Sequence, residues 1–521
     1  MLTKDQLEVF QKRYERAKST ALLWAGLHEA CYFYAIPNRN KFWRDRHDQG
    51  EQRGARVYDT TAIEATKTFV SKLHTAMTPP QTQWGYMEVD QSFIAENEDL
   101  ATEAQEMLDD YTRQLFDYIH QSNFDVVINE CYFDCAVGTA CIVVNSYTDA
   151  QPLLFTSIPM DKLAVEEAMT GRLESWYRYW EDVKVSEVRI RWPKARLTDQ
   201  MLQDLAMDSS ASISKIQEGV MYNPSSKDKP YTYAVCADSD CLFSEDFKTN
   251  PGIVWRFQKT NADTFGRGPI MDALPSIISL NELARLELAS ANLNVFRPYM
   301  ASNDGIFNPH TFVMKPMSVI PIAPFSANGQ PPLIPFPDSS SPQFAQLTMA
   351  DLRMQVKELL FAQSPIQTDS RQPPSATEVM IQNQLLAEKI GPLFSRLQQE
   401  FLFPLLERCA YVLDSMGILP RPKIKGAKVS FKYKSPLALA KNMEQIAKLT
   451  QFVQILQGTM GAQEAKLYID AMEYPWKLAH LMQLDPSFLN SPKDVQKAGQ
   501  TMQNKLDAQQ AQMAQEGGEG G

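Results

Sequence analysis

Several signatures are missing from this 521-residue chain, and each absence removes a class of function. No GxxxxGK[ST] phosphate loop occurs, so nothing points to ATP hydrolysis by the chain itself. The six histidines (His28, His47, His74, His120, His310 and His480) are scattered, and no serine or cysteine lies in a GxSxG-like elbow. No catalytic residue is therefore assigned, and the chain is read as a non-enzyme. The seven cysteines (Cys31, Cys131, Cys135, Cys141, Cys236, Cys241 and Cys409) include no CxxC pair and are odd in number. Buried free thiols in a reducing compartment follow. Cys131, Cys135 and Cys141 are near neighbours, but no histidine has ligand spacing to them, so they are read as core and no metal or cofactor is assigned. A net positive balance is also lacking, with 51 basic against 62 acidic residues. A net charge of -11 disfavours wholesale adhesion to nucleic acid, yet suits a surface past which nucleic acid slides. The most apolar stretch, residues 21–36, holds His28 and Glu29 and is too short to cross a bilayer. The first 18 residues are charged and helical, unlike a signal peptide, so a soluble intracellular protein is expected.

What is present begins with helices. Thr3-Lys4-Asp5-Gln6 has the form of a capping box, and Leu7, Phe10, Tyr14, Ala17, Ala21, Trp24, Leu27 and Cys31 recur at helical spacing as far as Pro37. A second helix follows Asp59, with Ile63, Thr66, Phe69, Val70, Leu73 and Met77 on one face and Pro79-Pro80 as its stop. Residues 99–121 and 123–136 read as two more, and residues 139–144 as a strand after Gly138. From residue 155 to 257 strand-like runs (175–180, 231–236 and 253–257) alternate with polar turns and one helix near 182–191, an α+β body.

The order from Phe265 to Gly417 is more unusual: helix, proline-rich insert, helix, polar loop, long interrupted helix. Ala273, Ile277, Leu280, Ala284, Leu288, Ala291 and Val295 make a helical stripe ending at Pro298. Residues 298–342 hold ten of the 32 prolines, which forbid long helices and central strands. Short edge strands at 318–320 and 333–334 remain allowed. A return helix covers residues 344–362, and residues 363–374 carry one apolar side chain, Ile366, as an exposed loop would. Ser375-Ala376-Thr377-Glu378 is a second capping box, opening a helix to about residue 416. Pro392 and Pro404 should kink that helix twice, and Gly417 ends it. Residues 428–433 alternate like a strand, residues 437–456 and 462–484 read as helices, and the Gln/Ala/Gly-rich end should be disordered.

Four stretches carry a resemblance: Val57-Tyr58-Asp59-Thr60-Thr61-Ala62, Thr264-Phe265-Gly266-Arg267-Gly268-Pro269, residues 292–298, and Gln372-Pro373-Pro374-Ser375-Ala376-Thr377-Glu378-Val379. In that order and spacing the chain resembles the head-to-tail connector (portal) proteins of T7-like short-tailed phages. The resemblance implies a mainly α subunit with an α+β wing body, a helical stem hairpin, a small β-rich clip and a helical crown. On this sequence that gives wing 1–270 with 376–435 (the long kinked helix and strand), stem 271–297 and 344–362, clip 298–343, channel loop 363–375, crown 436–500 and a disordered tail 501–521. It further implies twelve copies in a ring at one capsid vertex of the virion, assembled in the host cytoplasm, with double-stranded DNA passing through during packaging and ejection. Terminase large subunit, major capsid and scaffolding proteins, internal core proteins and tail adaptors are the implied partners, and no membrane. An oligomeric intracellular scaffold that conducts no DNA is the alternative.

Under this resemblance Gln363, Gln367, Thr368, Asp369, Ser370, Arg371 and Gln372 face DNA in the channel loop, making weak and replaceable bonds to phosphate. Arg353 and Lys357, one turn apart, either stack as basic rings facing the channel or form salt bridges with Asp351 and Glu358. Pro392 and Pro404 are the expected helix hinges. Arg267, between two glycines, reads as part of a turn or as an anion contact. The cluster Arg39, Lys41, Arg44 and Arg46 around Phe42 and Trp43 reads as a solvated face, a subunit interface or a nucleic-acid contact.

Overall fold

The computed structural model describes residues 2–39, 54, 56–90, 98–207, 212–226, 228–237, 240–295, 299–301, 333–335, 342–362, 395–424 and 429–433, with short helical pieces between 446 and 478. Its principal helices are α1 (Lys4–Ala35), α2 (Thr61–Met77), α3 (Glu98–Gln121), α4 (Phe124–Val137), α5 (Val185–Arg191), α6 (Asp199–Met207), α7 (Pro269–Val295), α8 (Pro342–Leu359) and α9 (Phe403–Ser415). The strands are β1 (Gly85–Val89), β2 (Thr139–Ser146), β3 (Leu153–Ser157), β4 (Leu163–Glu167), β5 (Leu173–Lys184), β6 (Ser212–Tyr222), β7 (Tyr231–Ala237), β8 (Asp240–Phe247), β9 (Gly252–Arg256), β10 (Tyr299–Ala301), β11 (Leu333–Pro335) and β12 (Val429–Tyr433). The result is mixed α/β with long helices. The chain divides into two compact units: residues 1–73, 124–145 and 155–363 form one, and residues 74–123, 146–154 and 364–521 the other.

In the first unit α1 opens with the capping box read from sequence: the Gln6 amide donates to Thr3 Oγ1 (3.3 Å) and the Thr3 amide to Gln6 Oε1 (3.0 Å). Four orphan amides head every helix, and this reciprocal pair satisfies two of them. Phe10, Tyr14 and Ala17 of α1 are buried against one face of an antiparallel sheet of order β4-β5-β6-β7-β8, where they meet Tyr177, Met221, Ala234 and Cys236. The opposite face packs Trp176, Ile216, Val220, Val235 and Leu242 with Phe265 and the α5 residues Val185 and Val188. A second sheet of order β3-β2-β9 places Thr139 opposite Arg256 and Val143 opposite Gly252.

The five-stranded sheet encloses charge. Glu218 is fully buried and accepts from Arg178 Nε (2.7 Å), Trp180 Nε1 (2.7 Å) and the Tyr233 hydroxyl (2.8 Å), which itself accepts from Trp192 Nε1 (2.8 Å). Burial alone would raise the Glu218 carboxyl. The Arg178 and Arg191 guanidiniums, with the hydrogen bonds from Arg178 and Trp180, outweigh it and hold the group below its ordinary value. A buried carboxylate is tolerated only when paired and hydrogen-bonded in this way, and removing one partner typically costs about 3–5 kcal/mol.

In the second unit β1 and β12 pair antiparallel, Gly85 opposite Tyr433 and Val89 opposite Val429. Trp84 is fully buried, with its ring 4.8 Å from Phe116 of α3 in a T-shaped arrangement. The Tyr433 hydroxyl donates to the Ala76 carbonyl at 2.9 Å. Residues 398–402 form a π-turn directly ahead of α9, the Phe403 amide reaching back five residues to the Gln398 carbonyl. Pro404 supplies the reason: it has no amide for the Glu400 carbonyl, and its ring crowds that turn. Gly417, at φ +73°, then ends α9 as the sequence predicts, with the Ile418 amide closing back on the Leu413 carbonyl (3.1 Å). The short-strand expectation at 333–334 is met by β11, which pairs with β10. The expected strand at 318–320, Pro392, and most of the expected helices at 437–484 with the tail lie outside the described residues, although residues 448–456 are helical.

Candidate functional site

The feature that stands apart in the first unit is the antiparallel pair α7 and α8, separated in sequence by the proline-rich insert. Ile270, Ala273, Ile277, Leu280 and Ala284 of α7 are buried, as are Met349 and Val356 of α8. Steps of three and four residues on α7, and of seven on α8, make one apolar stripe per helix. Other large apolar side chains on the same helices stay exposed: Leu286 (49%), Leu288 (53%), Leu347 (68%) and Met354 (56%).

A polar clamp fixes the hairpin at its root. Asn281 interrupts the apolar stripe of α7 and is 7% exposed. Its Oδ1 accepts from the Tyr58 amide (2.7 Å) and, more weakly, from the Asp59 amide (3.4 Å), while its Nδ2 donates to the Arg56 carbonyl (3.2 Å). Asp59 turns the other way. Its Oδ1 accepts from the Thr61 amide (2.9 Å), satisfying an orphan donor at the start of α2. Its Oδ2 accepts from both Nε and Nη2 of Arg353 on α8, at 2.9 and 2.8 Å. Residues 56–61 are thus gripped by one side chain from each arm of the hairpin. Burial alone would raise the Asp59 carboxyl; the hydrogen bonds from Thr61 and Arg353 outweigh it and hold the group below its ordinary value.

The start of α7 is set by backbone contact. The Gly266 amide donates to Thr139 Oγ1 (2.8 Å), and the Arg267 amide to the Gln258 carbonyl (2.8 Å). A Cβ on Gly138 would sit 2.1 Å from the Gly266 carbonyl oxygen, and one on Gly268 2.2 Å from the Ala136 oxygen. Only glycine lets these two backbones approach so closely. Arg267 takes the turn reading: it pairs with Asp263 (3.1 Å) and lies 5.1 Å from the Trp24 ring centre.

The far end of α8 is locked too. Phe361 adopts φ +52°, the Phe361 amide donates to the Glu358 carbonyl (3.0 Å) and the Ala362 amide to the Lys357 carbonyl (2.7 Å). This is a Schellman closure with phenylalanine where glycine is usual. Phe361 packs its ring 5.9 Å from Phe69, and Lys72 Nζ donates to the Phe361 carbonyl at 3.1 Å. The described segment ending at residue 362 is therefore anchored to α2.

Of the residues singled out from sequence, Arg353 reaches Asp59, a partner 294 positions away that helical spacing could not suggest. Lys357 is exposed. Arg39, partly exposed, donates to the Glu130 carbonyl and to Oδ2 of the buried Asp134 (3.2 Å), an intrachain pairing. Gln363, Gln367, Thr368, Asp369, Ser370, Arg371, Gln372 and Pro392 lie outside the described residues, as do Lys41, Arg44 and Arg46. Asp59 and Asn281 were missed as site residues; a lone Asn on an otherwise apolar stripe was the available signal. All seven cysteines are free thiols, six of them buried. Among the described residues no group of histidine, cysteine or carboxylate side chains is arranged to hold a metal, and no helix is long and apolar enough to cross a membrane. The arrangement is mechanical: it anchors and aims two rods.

The chain is similar to known proteins over most of its length. Residues 8–489 match the family described as "Bacteriophage head to tail connecting protein". Over 519 residues the chain is 22% identical to the "Probable portal protein" of Bordetella phage BPP-1, covering 94% of this chain and 90% of that one. Among solved structures it is similar to a chain from the neck of a native gene transfer agent (GTA) particle with C12 symmetry (12% identity, TM-score 0.38, 87% of this chain and 99% of that one). A chain from the virion of the native GTA particle is similar at TM-score 0.35 and 12% identity, covering 82% and 91%. With a match that spans nearly its whole length, this chain belongs to the bacteriophage head-to-tail connecting protein family, and is a structural component of the particle rather than an enzyme.

Proposed function

We propose that this chain is the portal subunit of a short-tailed, T7-like phage. Twelve copies close into a ring at one capsid vertex, and the ring conducts double-stranded DNA inward during packaging and outward during ejection. It nucleates the shell with the major capsid and scaffolding proteins, docks the terminase large subunit and the internal core proteins, and later holds the tail adaptors. The observation that carries this reading is the α7/α8 hairpin, rooted through Asn281 and Arg353 in the segment that opens α2. Rods anchored in this way can stand side by side around a bore, and the exposed Leu286, Leu288, Leu347 and Met354 suit contact with a neighbouring copy. Such contacts are head-to-tail and close by rotation.

In this reading residues 363–375 hang into the channel and touch phosphates through side chains that bind weakly. With Arg353 committed to Asp59, the exposed Lys357 is the stronger candidate to face the bore. Pro392 and Pro404 bend the following helix so that the loop can narrow the opening. The experiment is deletion of residues 364–373 from the phage gene. Rings should assemble and particles should fill, but DNA should leak from filled heads. Loss of ring assembly would make the loop structural, and full DNA retention would remove it from the channel.

A further inference from the structure

Two cysteines face each other across the last hairpin of the five-stranded sheet. Cys236 on β7 and Cys241 on β8 are direct partners in the antiparallel register, beside a bulge at which Leu242 is the extra residue. Direct partners place their side chains on the same face, with Cα atoms about 4.5–5.5 Å apart. That falls inside the span of about 4.4–6.8 Å that a disulfide needs. The two differ in access: Cys236 is fully buried in the layer beneath α1, whereas Cys241, on the edge strand, is only partly buried against the same layer. Both are reduced.

The pair is polarised. The neighbouring Cys236 thiol leads in holding the Cys241 thiol down to about 6; burial opposes it and the Leu2 backbone amide assists. When protonated, the Cys241 thiol donates to the Phe243 carbonyl at 3.5 Å. The same neighbour relation, with burial, pushes the Cys236 thiol up. The remaining cysteines offer a contrast, because burial raises the thiols of Cys31 and Cys409 to about 12 and those of Cys131 and Cys141 further. An accessible thiolate beside a buried thiol is the arrangement of an attacking and a resolving cysteine.

We propose that Cys236 and Cys241 are a redox-active dithiol that closes into an intrachain, cross-strand disulfide on meeting a small-molecule disulfide. The Cys241 thiolate attacks one sulfur of the external disulfide and expels one thiolate, leaving a mixed disulfide on Cys241. The expelled thiolate takes the Cys236 proton, and the Cys236 sulfur then attacks Cys241 Sγ and expels the second external thiolate, which is protonated by solvent. Two protein thiols are oxidised and one external disulfide is reduced to two thiols. The product staples β7 to β8 at the edge of the sheet and does not depend on the ring.

The test uses the purified full chain with oxidised glutathione at pH 7, followed by acid quench, alkylation and cleavage before Asp238 and Asp240, which separates the two cysteines. Two peptides joined by a bond from Cys236 to Cys241 are expected, with the other five thiols alkylated. Cys236→Ser should arrest at glutathione bound to Cys241, and Cys241→Ser should leave Cys236 unmodified. Alkylation of Cys241 should hold its rate down to about pH 6, where an ordinary thiol slows about tenfold per unit below 8.5. The proposal is overturned if the wild-type pair stays reduced, if the bond joins two chains, or if oxidation spreads equally over all seven cysteines.

Discussion

Asp59 offers the sharpest test of how the hairpin is anchored. Asp59→Asn keeps an oxygen for the Thr61 amide but removes the charge facing Arg353; Asp59→Ala removes both. The carboxylate side chain is 5% exposed and the arginine side chain 46%, so the pair lies between a surface and a buried ion pair. A charged hydrogen bond is worth about 1.5–3 kcal/mol, and solvent at the arginine cuts this toward the ~1 kcal/mol ceiling of exposed pairs. Loss of about 1 kcal/mol is expected for Asp59→Asn, and about 2 kcal/mol for Asp59→Ala, where a helix-opening acceptor worth about 1 goes as well. Native-state hydrogen exchange at the amides opening α2 is the suitable assay, since the chain has two units and a single global unfolding energy would blur the effect. Combined with Arg353→Gln, the Asp59→Asn change should show a coupling near 1 kcal/mol, roughly fivefold in protection. The pH dependence has a definite sign. The folded-state carboxyl is held below its unfolded value, so the clamp is fully present above about pH 4 and is lost as pH falls through the folded value. Additive effects of the two substitutions, or equal damage from Asn and Ala, would refute the clamp.

Other consequences are as direct. Gly138→Ala drives a methyl to 2.1 Å from a backbone oxygen that cannot move aside, so thermal unfolding should start several degrees lower, while Gly417→Ala, with open space around it, should cost only its left-handed strain, about 1–2 kcal/mol. Asp134 accepts from Tyr32 and Arg39 in the core, and burial pushes its carboxyl up to about 6. The folded chain therefore holds that proton more tightly than the unfolded chain; stability from this group is greatest below about pH 4 and falls as pH rises to about 6. Asp134→Asn should remove that slope from a melting series across pH 4–7, and an unchanged slope would refute it.

Much of the secondary structure was legible, because local rules wrote it. Thr3 and Gln6 announced α1, the stripe from Ala273 to Val295 announced α7, and Gly417 ended α9 as expected. Strand β6 was not, because Lys215 and Glu218 break its apolar pattern, and the burial of Glu218 makes sense only with Arg178, 40 residues away. Strand β1 was missed because five residues carry little signal and its partner β12 lies hundreds of positions later. The clamp was hidden for the same reason. Arg353 invited a local partner one turn away, and only the folded chain brings Asp59 to it. Motifs showed where the hairpin begins and ends; long-range polar pairing decides how it is held.

Ring formation is tested most directly by an end-on electron-microscopy average of the purified full chain. An annulus of identical subunits is expected, with a central hole wide enough for duplex DNA and walled by the paired helices. Particles that remain single globules under every assembly condition, or rings whose centre is closed to a duplex, would contradict it.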